Sequence, residues 1–236
     1  MNDILGDGSG SVQFDPSTKT YNVVGYIYNV GTLHLNNATI SGTYSKTLYS
    51  TTYNSAIYCK RGLTIVNTGT SIVENPFNDT NANVYGVAGI WTESELVIEG
   101  SGTLTVNSGA GGSSYNCGIF AGSGGDYFYI DGPTVIAFGG VAKSGGKSYG
   151  VLIANSAYMY VVKLKKGSLE AHGHDYAVYS APENDGDVEY IITNGTNYSD
   201  KIIKTIIGSV NYDGTDADSI VYSEYRNYKY IYVENP

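Results

Sequence analysis

Apolar and polar residues alternate along the chain in short runs, as in Leu33-His34-Leu35, Leu63-Thr64-Ile65 and Leu104-Thr105-Val106. Successive side chains of an extended strand point to opposite faces, so each run predicts a short strand with one apolar face. The runs recur in a repeat. A small residue, an aliphatic and usually an aromatic return as Ala56-Ile57-Tyr58, Gly89-Ile90-Trp91, Gly118-Ile119-Phe120, Gly150-Val151-Leu152 and Ala177-Val178-Tyr179, with a degenerate copy at Tyr26-Ile27-Tyr28. The central aliphatic falls at positions 27, 57, 90, 119, 151 and 178.

A second alternating run follows each copy, at Leu33-His34-Leu35, Leu63-Thr64-Ile65, Leu96-Val97-Ile98, Phe128-Tyr129-Ile130 and Met159-Tyr160-Val161. A third often follows, including Ser71-Ile72-Val73, Val135-Ile136-Ala137 and Ser168-Leu169-Glu170-Ala171. Gly, Asn, Ser and Asp cluster between the runs and mark turns. Such short strands cannot bury an apolar face alone, but stacked repeats bury it as one continuous core. The pattern predicts an all-β, right-handed parallel β-helix, a solenoid of about six coils with three short strands in each. A leucine-rich repeat needs a shorter period, and a propeller blade needs about 40 residues and four strands.

The whole chain, 1–236, reads as a single domain. Residues 1–23 form an N-terminal cap, 24–186 the coils, and 187–236 the last coil and a C-terminal cap. Caps are expected because an open solenoid end exposes a pairing edge. Tyr230-Ile231-Tyr232-Val233 reads as a strand of the C-terminal cap, and 201–207 as either a short amphipathic helix or a strand.

Composition narrows the function. Lys and Arg number 13 against 22 Asp and Glu, for a net charge of −9, and this excludes the basic footprint that nucleic acid requires. No 18-residue apolar run exists, so no membrane insertion is expected. Met1-Asn2-Asp3-Ile4-Leu5-Gly6 lacks the basic and apolar regions of a signal peptide, which fits either a cytosolic protein or the mature part of an exported one. Cys59 and Cys117 lie on coils two apart. Their expected separation exceeds about 9 Å, beyond the limit of about 7 Å for a disulfide, which predicts free, buried thiols that point inward.

The segments Asp15-Pro16-Ser17-Thr18-Lys19-Thr20, Leu33 to Ile40, and Gly89-Ile90-Trp91 through Leu96 to Val106 resemble the carbohydrate-binding right-handed parallel β-helix repeats of gut and cellulolytic bacterial cell surfaces. The closing Lys229-Tyr230-Ile231-Tyr232-Val233 resembles that family's last strand, and the resemblance runs from about residue 12 to the end. It implies a secreted or cell-surface location and binding of plant or acidic polysaccharide, sometimes with calcium. Its motifs are turn-and-strand signatures, so they bear on fold more than on ligand contacts.

Two aromatic sets are candidates for sugar contact. If each central aliphatic points inward, the next residue points outward, which places Tyr58 and Trp91 in a column with Tyr28, Phe120, Leu152 and Tyr179. Exposed flat rings suit the C–H faces of sugars; the alternative is an aromatic ladder covered by a loop or turned into the core. On the second strand, inward Phe128 and Met159 leave Tyr127, Tyr129, Tyr158 and Tyr160 as an outward two-by-two array on adjacent coils. The C-terminal segment could cover that array.

Asp213, Asp216 and Asp218 cluster in a turn and could supply oxygens to calcium, although their order is not that of an EF-hand and a solvated acidic turn is the simpler reading. His172 and His174 lack the further ligands a zinc site needs. No cofactor is required by anything in the sequence. Catalysis would need paired carboxylates across a sugar, and Glu93, Glu95, Glu99 and Glu170 do not pair locally. The chain is therefore expected to be a monomeric, non-catalytic glycan-binding or adhesive module, the alternatives being a spacer without glycan affinity and, behind it, a lyase or hydrolase.

Overall fold

A computed structural model describes residues 11–15, 20–24, 27–28, 31–48, 50–79, 83–122, 127–154, 161–181, 192–193, 205–220 and 227–235. Essentially no helix occurs among them, and none is long and apolar enough to cross a membrane. The alternating runs form strands stacked largely in parallel, giving an all-β solenoid of about four turns.

The chain enters through an antiparallel hairpin of β1 (Ser11–Asp15) and β2 (Thr20–Val24). One parallel ladder holds β3 (Ile27–Tyr28), β7 (Thr51–Cys59), β10 (Gly86–Thr92), β13 (Tyr115–Ala121), β15 (Lys147–Ala154) and β17 (Tyr176–Ala181). Ile27, Ile57, Ile90, Ile119, Val151 and Val178 stand directly opposite one another along it, so the sequence repeat is the structural register. An antiparallel strand, β6 (Tyr44–Leu48), extends the ladder beside the first half of β7.

A second parallel run joins β4 (Thr32–Asn36), β8 (Leu63–Thr68), β11 (Leu96–Gly100) and the starts of two long strands, β14 (Tyr127–Phe138) and β16 (Val161–His172), with β18 (Ile192–Thr193) beside the last. The third run starts at β2 and continues through β5 (Ala38–Ser41), β9 (Thr70–Glu74), β12 (Thr103–Asn107) and the ends of β14 and β16. Three antiparallel strands close it: β21 (Tyr230–Asn235) pairs with β16, β19 (Thr205–Ser209) with β21, and β20 (Asp218–Ser219) with β19. Of the ambiguous 201–207 run, the described part is strand, and 201–204 lie outside the described residues.

Alternation places every second residue inside. Leu63, Leu96, Phe128 and Val162 form one buried column, and Ile40, Val73, Val106, Ala137 and Ala171 another. Each aliphatic withdrawn from water contributes about 1.5–3 kcal/mol, and stacking makes the contributions continuous from one winding to the next. Ile231 and Val233 of β21 join the same core, so the closing strand is part of the packing as well as an edge cover.

The small residue of the repeat has a steric cause. A Cβ at Gly118 would lie 2.8 Å from the amide nitrogen of Phe138 and 2.9 Å from the carbonyl oxygen of Gly150. The same site on neighbouring windings is Ala56, Gly89, Gly150 or Ala177, because here the end of the third run presses against the first ladder. At this point strict alternation also breaks. Ile119 belongs to the central core, whereas Cys117 and Phe120, on either side of it, both pack into a second apolar cluster on the opposite face of the ladder.

Candidate functional site

The outer face of the first ladder carries that second cluster. Tyr58, Trp91, Phe120, Leu152 and Tyr179 occupy matching positions on successive strands, with Ala88 and Cys117 nearby. These residues face away from the central aliphatic column, as alternation predicts, but they are not exposed. Tyr58 retains 2% of its accessible surface and Trp91 5%. The expectation that Tyr58 and Trp91 stand open to solvent therefore fails. Period-two spacing fixes the face on which a side chain lies and is silent on what covers it.

The cover is a layer of tyrosines. Tyr44, Tyr53, Tyr115, Tyr149 and Tyr176 are partly buried and pack against the cluster. Trp91 and Phe120 stack at 4.1 Å, Tyr53 meets Trp91 edge-on at 4.8 Å, and Tyr115 lies parallel to Phe120 at 5.7 Å. Tyr85, 42% exposed, stands between the rings of Tyr53 and Tyr115 at 5.7 and 5.3 Å, steeply tilted to both. Edge-to-face contacts of this kind fix ring orientation and are worth about 0.5–1.5 kcal/mol per pair beyond burial.

The register orders these residues into a row. Lys46, Tyr53, Gly86, Tyr115 and Lys147 are successive partners across β6, β7, β10, β13 and β15. Gly86 leaves space that neighbouring rings fill, since a Cβ there would lie 2.5 Å from Tyr115 Cε2 and 3.1 Å from Trp91 Cζ3. Burial is the leading cause that pushes the hydroxyls of Tyr53, Tyr115 and Tyr149 above the usual tyrosine range, so they stay protonated and uncharged. The Trp91 indole nitrogen is buried and has no hydrogen-bond partner among the described residues.

Each end of the row holds an ion pair. Lys46 Nζ lies 3.0 Å from Glu93 Oε1 and 4.4 Å from the centre of the Tyr58 ring, and the Tyr58 hydroxyl donates to the same carboxylate. Lys147 Nζ lies 3.2 Å from Asp175 Oδ1, and that carboxylate's other oxygen accepts the Ser148 amide. Glu93 is thus held by a lysine and a phenol, with no second carboxylate among these contacts.

The other expected sites are placed differently. Tyr129 lies beside Lys163, Phe128 beside Val162 and Tyr127 beside Val161, so the expected pairing of Phe128 with Met159 gives way to a register about three residues further along. The run from Met159 to Leu164 is largely apolar, and its alternation is too weak to choose the inward set. Tyr158 and Tyr160 lie outside the described residues, and of Tyr127 only the backbone is described.

Asp213, Asp216 and Asp218 are exposed. Asp213 Oδ1 accepts the Thr215 amide at 3.0 Å and hydroxyl at 2.7 Å, while Asp218 Oδ1 accepts the Ser219 amide. Among the described residues no group of three or more His, Cys, Asp and Glu side chains is placed to hold a metal.

His172 ends β16 and is buried, with Nε2 2.8 Å from Glu170 Oε1 and Nδ1 2.7 Å from the Tyr212 carbonyl oxygen. His174 stacks on Tyr212 at 4.1 Å. The two histidines pin the C-terminal loop rather than sharing a ligand. Neither cysteine is in a disulfide and both are buried; Cys59 faces the central core as expected, whereas Cys117 faces the outer cluster.

The tyrosine layer escaped sequence reasoning, although a signal was present. Tyr53 and Tyr115 each stand four residues before their central aliphatic, and Tyr149 and Tyr176 two before theirs. The chain matches no family model, no curated protein and no solved structure significantly.

Proposed function

We propose that this chain is a non-catalytic carbohydrate-binding or adhesive module of an exported surface protein, holding polysaccharide on the outer tyrosine layer of the first ladder. One observation supports the reading above the rest: partly exposed rings of Tyr53, Tyr85 and Tyr115 lie in a row on a close-packed aromatic bed. Such a bed holds the rings in place before a ligand arrives, which lowers the entropy cost of binding. Tyrosine rings offer an apolar face to sugar C–H groups and a hydroxyl to sugar hydroxyls. The reading includes a right-handed solenoid of about six coils with three strands in each, capped at both ends, acting as a monomer and requiring no cofactor. The resemblance noted in the sequence supports the surface location.

Affinity electrophoresis through gels loaded with plant, host or bacterial polysaccharides tests this reading. The wild-type chain should be retarded by at least one of them, and Tyr85→Ala with Tyr115→Ala should weaken retention by about tenfold or more. A second reading, a spacer without glycan affinity, is favoured by the burial of Tyr58 and Trp91 as though in a core. Unretarded migration in every gel would decide for the spacer.

A further inference from the structure

We propose that the tyrosine row takes an uncharged, extended β-1,4-linked glycan lying parallel to the solenoid axis, with about one sugar to each strand crossed. The inference rests on the carbohydrate reading above and adds the ligand's charge, shape and direction.

Direction follows from register. Lys46, Tyr53, Gly86, Tyr115 and Lys147 succeed one another across neighbouring strands, so the row runs perpendicular to the strands and along the stacking axis. Neighbouring strands are separated by about 4.8 Å, which puts Lys46 and Lys147 about 19 Å apart along the axis. The rings within the row repeat at a similar interval, 5.7 Å from Tyr53 to Tyr85 and 5.3 Å from Tyr85 to Tyr115. That interval is close to the rise per sugar of an extended β-1,4-linked chain. A compact or branched ligand would meet one ring and overhang the rest.

Charge follows from the ends. The cations that the row meets are already paired, Lys46 with Glu93 and Lys147 with Asp175. A uronate chain would have to displace a carboxylate to reach either lysine. It would also approach a molecule of net charge −9, whose field repels polyanions. A neutral chain meets neither obstacle, and between the pairs it finds aromatic faces and phenolic hydroxyls. Beneath them the Trp91 indole N–H has no acceptor among the described residues. The ends of the row therefore bound the site by length, and its middle selects against charge.

The test is calorimetric titration of the intact chain with cello- and xylo-oligosaccharides of two to six sugars, and with oligogalacturonates of matching length. Affinity for at least one neutral series should rise steeply up to about four sugars and then level off, because the row ends there. It should change little between low and high salt, since no net charge is neutralised. Tyr85→Ala should weaken the tetrasaccharide by about tenfold, whereas Tyr129→Ala, on a different ladder, should leave it unchanged.

Tight oligogalacturonate binding that fades with salt would overturn the neutral ligand and leave carbohydrate binding standing. A disaccharide bound as tightly as a hexasaccharide would overturn the axial chain. Loss of binding in Tyr129→Ala alone would move the site to the second ladder. Silence from both neutral series, with retention on other gels, would overturn the inference alone; silence everywhere would overturn the carbohydrate reading with it.

Discussion

Gly132 shows how narrowly some single residues are constrained. Its φ is +114°, in the left-handed half of backbone space, and a Cβ there would lie 2.2 Å from the carbonyl oxygen of Gly100 on the winding below. Both strain and collision oppose any side chain. Gly132→Ala is expected to cost at least about 1–3 kcal/mol, read as a lower denaturant midpoint with an unchanged slope. A glycine at this irregularity within β14 was legible in the sequence, where Gly marks the ends of alternating runs. The burial of Trp91 was not, because the rings that cover it lie in sequence outside its own motif.

At the scale of elements, the C-terminal loop is fastened to the end of β16 by aromatic and ionisable contacts. The faces around His172 are Phe138 stacked at 4.3 Å, Tyr212 and Tyr230 at steep angles, and the Glu170 carboxylate at Nε2. His174 is exposed at its outer edge, but Tyr212 covers its ring, and this burial is the first cause that pulls its pKa below the usual histidine range. Nearby Asp175 opposes that shift and Lys229 adds to it. A depressed histidine binds its proton more readily when unfolded, so its stabilisation is present above about pH 6.5 and declines as pH falls below that.

Asp213 acts in the same sense at lower pH. Hydrogen bonds from the Thr215 amide and hydroxyl hold its carboxyl below the usual value, and that contribution is lost as pH falls through the acid range. The contributions of these two groups to the thermal midpoint should therefore decline from pH 7.5 to 5 for His174 and below 4 for Asp213. His174→Asn should flatten the first part of the curve and Asp213→Ala the second; a curve whose shape neither substitution alters would contradict both assignments. The strand β21 was readable from its alternation alone. The start of β16 was not, because apolar residues run from Met159 to Leu164 with too little contrast to fix register. The inward assignment of Cys117 failed for a related reason, since the crowded Gly118 interrupts the alternation used to count towards it.

For the molecule as a whole, charge is sparse and acidic, with 22 Asp and Glu against 13 Lys and Arg. Self-repulsion of this kind is screened by salt. Sodium chloride should therefore raise the thermal midpoint slightly. Calcium chloride at matched ionic strength should add nothing further, because the Asp213 carboxylate is occupied by Thr215 and the described carboxylates form no metal-sized group. A calcium-specific rise in a melting series would restore the loop of Asp213, Asp216 and Asp218 as a cation site.

The register from Ile27 to Val178 also bears on how such a chain changes length. From Ile57 to Val178 each winding presents the same interface above and below, with an aliphatic at the centre and a small residue beside it. A segment copied from Ile90 to just before Ile119 could be inserted with its joints already matched, because both ends of the copy meet partners they already have. Duplication in the gene would then lengthen the tyrosine row by one rung and leave the hairpin at one end and β21 at the other untouched. On this architecture reach is a counted quantity, altered in whole rungs and inherited as copy number.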